Sequence, residues 1–352
     1  MRGMIFCRFL RSTPTQPLTA AGVLLVALFS LYADSGAPPQ PPGSRSVVDA
    51  HNCYPYNGRW ADRIERALSA GLPVAIEQDL AWYVDPRTGA GRSVLSHEKQ
   101  PTGSEPGMRE YFFERIRPII ERALEQGNSG DWPLITLNLD FKTDEPQHHA
   151  AVWKLLGDYQ GWLCTAVRST DPHEVTPMHA GPVLVLTGEA ASQERDFHDI
   201  VPPGGTLRVF GAVHTLGDDP SVEPRRMISS PATNYRRWWN NPWGVVEKGG
   251  QTAARDWNDR SRRRLDALVK YAHQNGLWIR FYTLNGASPA ADEQNGWERS
   301  YDFGSLERAR DRWQACFEAG VDYIATDQYE ELAKVRAQFM SRPSLLSRPG
   351  SI

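Results

Sequence analysis

The sequence predicts a single large (β/α)8 barrel, and two observations carry that prediction. Strand-like and helix-like segments alternate over about 290 residues, and a series of this length most simply closes as a barrel of parallel strands joined by crossover helices. Polar residues gather at the ends of the strand candidates, as they do in barrels whose active sites lie at the carboxyl ends of the strands. A doubly wound open sheet is the alternative fold.

The first 35 residues differ from the rest of the chain and are interpreted as a secretory signal. Three arginines precede an apolar run from Ala20 to Tyr32, and the small residues Ala33 and Ser35 follow it. This order is typical of a cleaved signal, and the run is short for a membrane span, so an uncleaved anchor is the less favoured alternative. We therefore expect a secreted or periplasmic protein, with residues 36–45 as a proline-rich linker that cannot build a core.

Charge and cysteine content limit the classes of partner and cofactor. Removal of residues 1–35 takes away three Arg and one Asp and moves the formal charge from -3 to -5, which argues against nucleic acid as the main partner. The cysteines that remain are Cys53, Cys164 and Cys316, and they form either one disulfide with one free thiol or three buried thiols. No Cys-x-x-Cys or His-Glu-x-x-His spacing occurs, so no structural zinc site is expected.

Apolar runs, helical spacing and glycine stops predict the elements of the first half of the barrel. The predicted strands are Val47–His51, Val74–Trp82, Ser93–His97 and Pro133–Lys142. The predicted helices are Arg59–Ala70, Met108–Gln126 and Pro146–Asp158. The strand that ends at Lys142 is almost continuously apolar, which is typical of parallel strands buried on both faces.

The second half of the barrel, which ends at residue 341, continues the alternation. The predicted strands are Pro182–Thr187, Thr206–Gly211, Leu277–Asn285 and Tyr323–Asp327. The predicted helices are Asn258–Asn275, Ser305–Ala319 and Tyr329–Ser341. We expect residues 212–256 to be irregular and residues 342–352 to be disordered. Within the irregular segment, Trp238, Trp239 and Trp243 either form a loop that contacts substrate or lipid or pack over the barrel mouth.

The strand Val74–Trp82 contains two acids, Glu77 and Asp79, which point to the same face because they are two residues apart. Two carboxylates about 4 Å apart repel by roughly 4 kcal/mol at an effective dielectric constant of about 20, so the pair requires a cation or a shared proton. Mg²⁺ and Ca²⁺ prefer such oxygen ligands. On the solvent face of an edge strand the same pair would have no function, so its interpretation depends on the polar residues at other strand ends. Those residues are His51, His97, Asp140, Lys142, Arg280, Tyr282 and Asp327.

In their order along the chain, these segments resemble the phospholipase-C-like phosphodiesterases. The matching segments are His51-Asn52, Glu77-Gln78-Asp79, Ser96-His97, Leu137–Lys142, Tyr282–Asn285 and Gly320–Asp327. Within that superfamily the pattern is similar to the glycerophosphodiester phosphodiesterases. It looks most like their branch named for altered inheritance of mitochondria proteins, which is related to spider-venom sphingomyelinase D. The resemblance covers residues 46–335.

The resemblance implies a metal site and a histidine pair. Glu77, Asp79 and Asp140 match the three acidic ligands of one divalent ion, Mg²⁺ or Ca²⁺. His51 and His97 match paired histidines that act as nucleophile or base and as general acid. Residue chemistry supports the second role independently, because histidine has an unperturbed pKa of about 6.5 and exchanges protons near neutral pH.

The resemblance also implies a phosphate-binding group, with three departures from the family pattern. Lys142 matches a lysine that helps to hold the phosphate, but Asn52 stands where glycerophosphodiesterases have a phosphate-binding arginine. Arg280 is a candidate replacement, because it shares a strand face with Tyr282, which stands where the family often has Trp. Asp140 replaces the more usual Glu. Asp327 either caps the helix that follows it or orients a neighbouring residue.

The sequence therefore predicts a metal-dependent phosphodiester hydrolase that acts on glycerophosphodiesters or phospholipid headgroups. Peripheral contact with a membrane is compatible with such substrates. The attacking group is water, a histidine or a hydroxyl of the substrate. One alternative is a barrel that binds a phospholipid or glycan without turnover. Another is a glycoside hydrolase with Glu77 and Asp140 as acid and nucleophile, which would need no metal and would leave both histidines and Lys142 without a role.

Overall fold

The computed structural model describes residues 40–56 and 59–341. The predicted signal at residues 1–35, the first four residues of the predicted linker and the predicted disordered tail at residues 342–352 lie outside the described residues. Among the helices of the described part, none combines the length and the apolar character that a membrane crossing requires.

Parallel strands close into a barrel at the centre of the molecule. In chain order the strands are β1 (Val47–Ala50), β2 (Val74–Val84), β3 (Gly91–Leu95), β4 (Ile135–Phe141), β5 (Thr165–Val167), β6 (Met178–His179), β7 (Val183–Thr187), β8 (Thr206–Leu207), β9 (Phe210–Ala212), β10 (Arg236–Pro242), β11 (Trp278–Tyr282) and β12 (Tyr323–Thr326). Eight of them pair in the order β1-β12-β11-β10-β9-β7-β4-β2, and β1 also pairs with β2. Because that last pairing closes the ring, the predicted (β/α)8 barrel is confirmed and the open sheet is excluded.

Helices connect the strands and cover the outside of the barrel. They are α1 (Arg63–Ser69), α2 (Glu114–Gln126), α3 (Pro146–Asp158), α4 (Ala191–Glu194), α5 (Gly250–Ala253), α6 (Asp259–Gln274), α7 (Pro289–Asn295), α8 (Leu306–Ala319) and α9 (Tyr329–Met340). Local chemistry sets several of their ends. The side chain of Asn258 accepts hydrogen bonds from the first turn of α6, and α8 ends at Gly320 in the left-handed region at φ 79°.

The alternation of side chains along each strand separates the core into two parts. Apolar residues that face the helices form the larger cluster, which includes Ile76, Leu137 and Trp239. A smaller cluster includes residues that alternate with these along the strands and face the barrel interior, such as Ala75 and Trp238. Because strand residues alternate between the two faces, Glu77 and Asp79 share the interior face with Ala75.

Three parts of the fold differ from the elements predicted from sequence. The single strand predicted at Thr206–Gly211 is divided into β8, which pairs with β5 outside the barrel ring, and the barrel strand β9. The expectation of an irregular segment over residues 212–256 is wrong at Arg236–Pro242, which is barrel strand β10. This strand contains two Asn, a residue type that is depleted in strands, and its buried Arg236 is paired with Glu194 at 2.5 Å. The strand predicted at Ser93–His97 is β3, which pairs antiparallel with the end of β2 and lies outside the barrel ring.

Residues 40–45, the described part of the predicted linker, contact the amino-terminal end of the barrel. The backbone N–H of Gly43 donates to Asp322 Oδ1 at 2.7 Å, and the indole of Trp278 donates to the carbonyl of Gln40 at 3.2 Å. Asp322 immediately precedes β12 and Trp278 begins β11. This segment therefore packs against the end of the barrel opposite to the candidate site.

The three cysteines of the barrel are buried and free. Cys53, Cys164 and Cys316 form no disulfide, so the alternative of three buried thiols is correct. Burial raises the pKa of Cys53 and that of Cys164 to about 12.

Candidate active site

A cavity of about 480 Å³ opens at the carboxyl ends of the barrel strands. Seven of the eight candidate site residues line it, namely His51, Glu77, His97, Asp140, Lys142, Arg280 and Tyr282. The eighth, Asp79, is fully buried beneath the cavity wall. The structure thus brings together residues that are as far apart in the chain as His51 and Tyr282, in the place where (β/α)8 barrels hold their catalytic groups.

Three acids form a compact cluster at the wall of this cavity. The register of β2 and β4 places Asp79 directly opposite Asp140, and Glu77 lies two residues earlier on the same face. Oxygen atoms from the three carboxylates lie within 4.8 Å of one another. Burial, and then the charge of Asp140, raise the pKa of Asp79 to about 8, so the cluster needs a cation or a proton.

The cluster also offers a free ligand atom for a metal ion. One oxygen of Asp79, Oδ2, accepts a hydrogen bond from Tyr54 Oη at 2.7 Å. The other, Oδ1, is buried and has no hydrogen-bond partner among the described residues. A buried acceptor beside two further carboxylates fits a hard divalent cation such as Mg²⁺ or Ca²⁺.

Lys142 supplies a positive charge to the same carboxylates. Its Nζ lies 2.8 Å from Asp140 Oδ2 and 3.0 Å from Asp79 Oδ2. Burial opposes the charge of Lys142, but the two acids outweigh it and raise the pKa of the ammonium above its usual value. The lysine is therefore a fixed cation on the wall of the cavity.

Arg280 is held mainly by groups of the protein itself. Its Nη2 donates to Glu77 Oε2 at 2.8 Å, its Nη1 donates to Asn240 Oδ1 at 3.2 Å, and its Nε donates to the buried Asp49. Burial alone would raise the pKa of Glu77, but Arg280 and His51 hold it below the ordinary value. These contacts favour a role for Arg280 in orienting Glu77 and keeping it ionised. The sequence suggested instead that Arg280 binds the phosphate of the substrate.

His51 is oriented by Asp327. The ring Nδ1 lies 3.2 Å from Asp327 Oδ2, and Nε2 lies 3.9 Å from Glu77 Oε2 at the cavity. Burial opposes protonation, but the carboxylates of Asp327 and Glu77 raise the pKa of His51. Of the two roles considered for Asp327, these contacts favour the orienting role, because the carboxylate is bound by His51, Arg63 and Asn285, and the N-cap residue of α9 is Gln328.

His97 reaches the cavity on the segment that follows β3. Its side chain is exposed, and its ring forms no hydrogen bond within the described part of the chain. Partial burial and the nearby charge of Lys142 lower the pKa of His97. The hairpin of β2 and β3 thus brings a second imidazole, free to exchange a proton with a ligand, to the side of the cavity.

Sequence reasoning missed several lining residues. Asn240 lies on β10, in the segment that the sequence predicted to be irregular. Tyr301 lies in the segment between α7 and α8, and its ring packs edge-on against that of His51 with the centroids 5.5 Å apart. No local pattern identifies Tyr301, because its place in the site depends on the fold of a loop.

The tryptophan cluster is buried. Trp238, Trp239 and Trp243 are each at most 1% exposed, so they do not form an exposed loop that contacts substrate or lipid. The indole of Trp238 donates to the carbonyl of Thr187 at 2.9 Å and forms part of the cavity wall. Trp239 and Trp243 pack in the larger core cluster.

Comparison with known proteins identifies similar solved structures. No protein-family model matches the chain, and no curated protein matches it in sequence. A glycerophosphodiester phosphodiesterase from Parabacteroides distasonis is 13% identical over 84% of this chain and 98% of that chain, with a TM-score of 0.43. A calcium-dependent phosphoinositol-specific phospholipase C from Pseudomonas sp is 15% identical over 84% of this chain and 92% of that chain, with a TM-score of 0.43.

A structure of a third kind is also similar. Plasmodium falciparum HPPK-DHPS is 10% identical over 86% of this chain and 49% of that chain, with a TM-score of 0.41. The similar structures thus include a phosphodiesterase, a phospholipase C and a protein of another kind. At these TM-scores the class of the protein, a (β/α)8 barrel with an acidic cavity at its carboxyl end, is defined by its own strand pairing and side chains.

Proposed function

We propose that this barrel is a metal-dependent phosphodiester hydrolase that acts on glycerophosphodiesters or phospholipid headgroups. One observation carries the proposal: Glu77 and Asp140 line a single cavity together with two histidines and a lysine, and the third carboxylate of their cluster, Asp79, is buried behind the cavity wall. A phosphodiester is anionic and needs its charge neutralised before attack, and its leaving oxygen needs a proton. The cavity contains groups suited to both tasks.

Glu77, Asp79 and Asp140 would hold the divalent ion. When bound, the ion supplies Lewis-acid neutralisation of a phosphoryl oxygen. Arg280 holds Glu77 in its ionised form, and Tyr54 orients Asp79 through its hydroxyl. Lys142 offers an ammonium at the cavity wall that donates to a phosphate oxygen.

The two histidines would carry the protons or the covalent step. Asp327 binds Nδ1 of His51 and so presents Nε2 to the cavity, where it acts as nucleophile or base on one side of the phosphorus. His97 stands at the cavity as the partner that exchanges a proton with the leaving oxygen. A substrate with a good leaving group distinguishes the role of His51 from that of His97. Such a leaving group needs no proton, so loss of the general acid His97 should affect its hydrolysis little.

The glycoside hydrolase alternative fits the site less well. It requires Glu77 to carry a proton as the general acid, whereas Arg280 and His51 hold the pKa of Glu77 below its ordinary value. It also leaves Lys142 and both histidines without a role. A protein with the same cavity but without turnover would bind phosphodiesters and not hydrolyse them. Only an activity assay distinguishes such a binding protein from the proposed hydrolase.

The test is hydrolysis of bis(p-nitrophenyl) phosphate and glycerophosphocholine before and after chelation. We expect activity that is lost with chelator, returns with Mg²⁺ or Ca²⁺, and is absent in His51→Ala and Glu77→Ala. His173→Ala and Glu125→Ala change exposed residues of the same types outside the cavity and serve as matched controls. If no phosphodiester is turned over with any divalent ion, the proposal gives way to the binding alternative. Hydrolysis of p-nitrophenyl glycosides that is insensitive to chelator would favour the glycoside hydrolase.

A further inference from the structure

A second cleft, of about 270 Å³, lies beside the segment that follows β10. None of its lining residues lines the candidate active site. Four cationic side chains line it, namely Lys248, Arg255, Arg260 and Arg264. The residues at the start of α6 also line it, so the positive end of a helix of 16 residues adds to their field.

The cleft lies at the same end of the barrel as the candidate active site. Gln251, which lies between Lys248 and Arg255 in the chain, is buried, and its side-chain amide donates to the carbonyl of Thr283 at 2.7 Å. Thr283 follows β11 directly after Tyr282, which lines the catalytic cavity. The segment that carries the cations is therefore tied to the carboxyl end of a barrel strand.

Glu247 and Asp219 do not neutralise these cations. Glu247 lines the cleft, but its oxygens accept hydrogen bonds from Arg312 and from the indole of Trp243. Asp219 is close enough to Lys248 for their charges to interact, and hydrogen bonds from Ser221 are the main cause of its lowered pKa. Across residues 40–56 and 59–341, no salt bridge joins Lys248, Arg255 or Arg260 to a carboxylate. The residues that line the cleft thus carry excess positive charge, on a chain whose formal charge is -3.

Arg264 is a positioned cation at the side of this cleft. Its Nε donates to the carbonyl of Val245 at 2.9 Å, and its Nη2 lies 2.8 Å from the sulfur of Met227. Burial lowers the pKa of Arg264, and the charge of Asp219 only partly offsets that effect. A half-buried guanidinium without a hydrogen-bonded carboxylate gains when an anion binds beside it.

We propose that this cleft is a second anion site that binds a phosphate group, separate from the catalytic cavity. Four cations around one concave space match the oxygens of a phosphate, which accepts charge-assisted hydrogen bonds from several donors at once. The phosphate belongs either to a soluble ester or to the headgroup of an anionic phospholipid at a membrane surface. The inference does not depend on catalysis, so loss of the proposed phosphodiesterase activity would leave it standing.

The first test measures binding of inorganic phosphate by calorimetry, at low ionic strength and with chelator present. Lys248→Ser combined with Arg260→Ser removes two exposed cations of the cleft. The matched control, Arg263→Ser combined with Lys270→Ser, removes two exposed cations of α6 that do not line the cleft.

We expect the cleft variant to bind phosphate at least about tenfold more weakly than the unaltered chain, because each hydrogen bond from a cation to the phosphate contributes substantially to the binding free energy. The affinity of the control should stay within about twofold of that of the unaltered chain. Arg255→Ser should produce a smaller change in the same direction. Circular dichroism and the melting temperature report whether each variant is folded. Equal affinity in the cleft variant and the unaltered chain, or no binding by the unaltered chain, would overturn the proposal.

The second test identifies the source of the phosphate group. Vesicles of phosphatidylcholine, with and without phosphatidylglycerol, are sedimented with each protein. If the unaltered chain and the control sediment only with phosphatidylglycerol vesicles and the cleft variant does not, the ligand is an anionic lipid headgroup. If no protein sediments while the cleft variant has lost phosphate binding, the ligand is a soluble phosphate ester. Each of these results supports the site. Sedimentation of the cleft variant equal to that of the control, with unchanged phosphate binding, refutes it.

Discussion

His51 Nδ1 lies 3.2 Å from Asp327 Oδ2 across 276 residues of sequence, which joins the end of the first barrel strand to the end of the last. Asp327 is fixed in turn by Arg63 and Asn285, each at 2.7 Å. Burial opposes ionisation of Asp327, but His51 and Arg63 lower its pKa to about 2. The closure of the barrel therefore sets the direction in which His51 presents its other nitrogen.

Asp327→Asn should lower kcat for bis(p-nitrophenyl) phosphate by roughly 100-fold or more with little change in KM, because the ring of His51 would lose its orientation. Stability should also fall, since Arg63 would remain buried without its anion. Asp311→Asn changes an exposed acid and is the control. An unchanged kcat in a folded Asp327→Asn protein would exclude the orienting role.

Asp79→Asn should abolish the binding of Mg²⁺ or Ca²⁺ or weaken it by at least about tenfold, because the substitution removes one negative charge from the three carboxylate ligands. Calorimetry measures this directly on the metal-free protein. A saturating ion should raise the stability of the unaltered chain by about 2.7 kcal/mol at 100 times its Kd, and should stabilise the variant much less. Asp85→Asn, at the turn of the hairpin and outside the cavity, should bind metal as the unaltered chain does. Equal metal affinity in Asp79→Asn would remove the acid cluster as the metal site.

Lys142→Met should separate metal binding from phosphate binding. The ammonium contacts Asp79 and Asp140, so its removal takes away a competing cation and should leave metal affinity equal or higher. The value of kcat/KM should nevertheless fall by about 10- to 100-fold, since a charged donor to the phosphate is lost. Lys154→Met is the matched control. A fall in metal affinity that parallels the fall in activity would contradict this account of Lys142.

His148 should make the protein sensitive to mild acid independently of catalysis. It is buried and contacts Ser93 Oγ at 2.9 Å and Thr143 Oγ1 at 3.0 Å, and burial, together with the charge of His149, lowers its pKa to about 4. Because this pKa is below the unfolded value of about 6.5, the unfolded chain binds the proton first. The contribution of neutral His148 to stability is therefore fully present above pH 6.5 and is lost as the pH falls towards about 4.

Urea unfolding at about pH 7.5 and about pH 5 measures this effect. At the lower pH the unaltered chain should lose about 2 kcal/mol more than His148→Gln loses, which follows from about 1.4 kcal/mol per pH unit below 6.5. The exposed His173→Gln should behave as the unaltered chain does. A pH dependence that is the same in His148→Gln and the unaltered chain would show that another group is responsible.

Local sequence patterns determined the repeat of strands and helices and most of their positions. The strand Val74–Val84 was recognisable because an apolar run precedes two acids, and the period of two placed Glu77 and Asp79 on one face. Strand β10 was not recognisable, because its buried arginines obtain their partners from other elements, as Arg236 does from Glu194. Its stability as a strand is a tertiary effect that composition does not express.

Only the tertiary structure decided which groups meet in the cavity. The register of β2 on β4 sets Asp79 opposite Asp140, and the closure of the barrel brings Asp327 to His51. In the fold, Arg280 forms ion pairs with Asp49 and Glu77, although the sequence alone suggested that it binds the phosphate of the substrate. The physical reason is that the period of a strand selects the face on which a side chain lies, whereas its partners depend on pairing between distant segments.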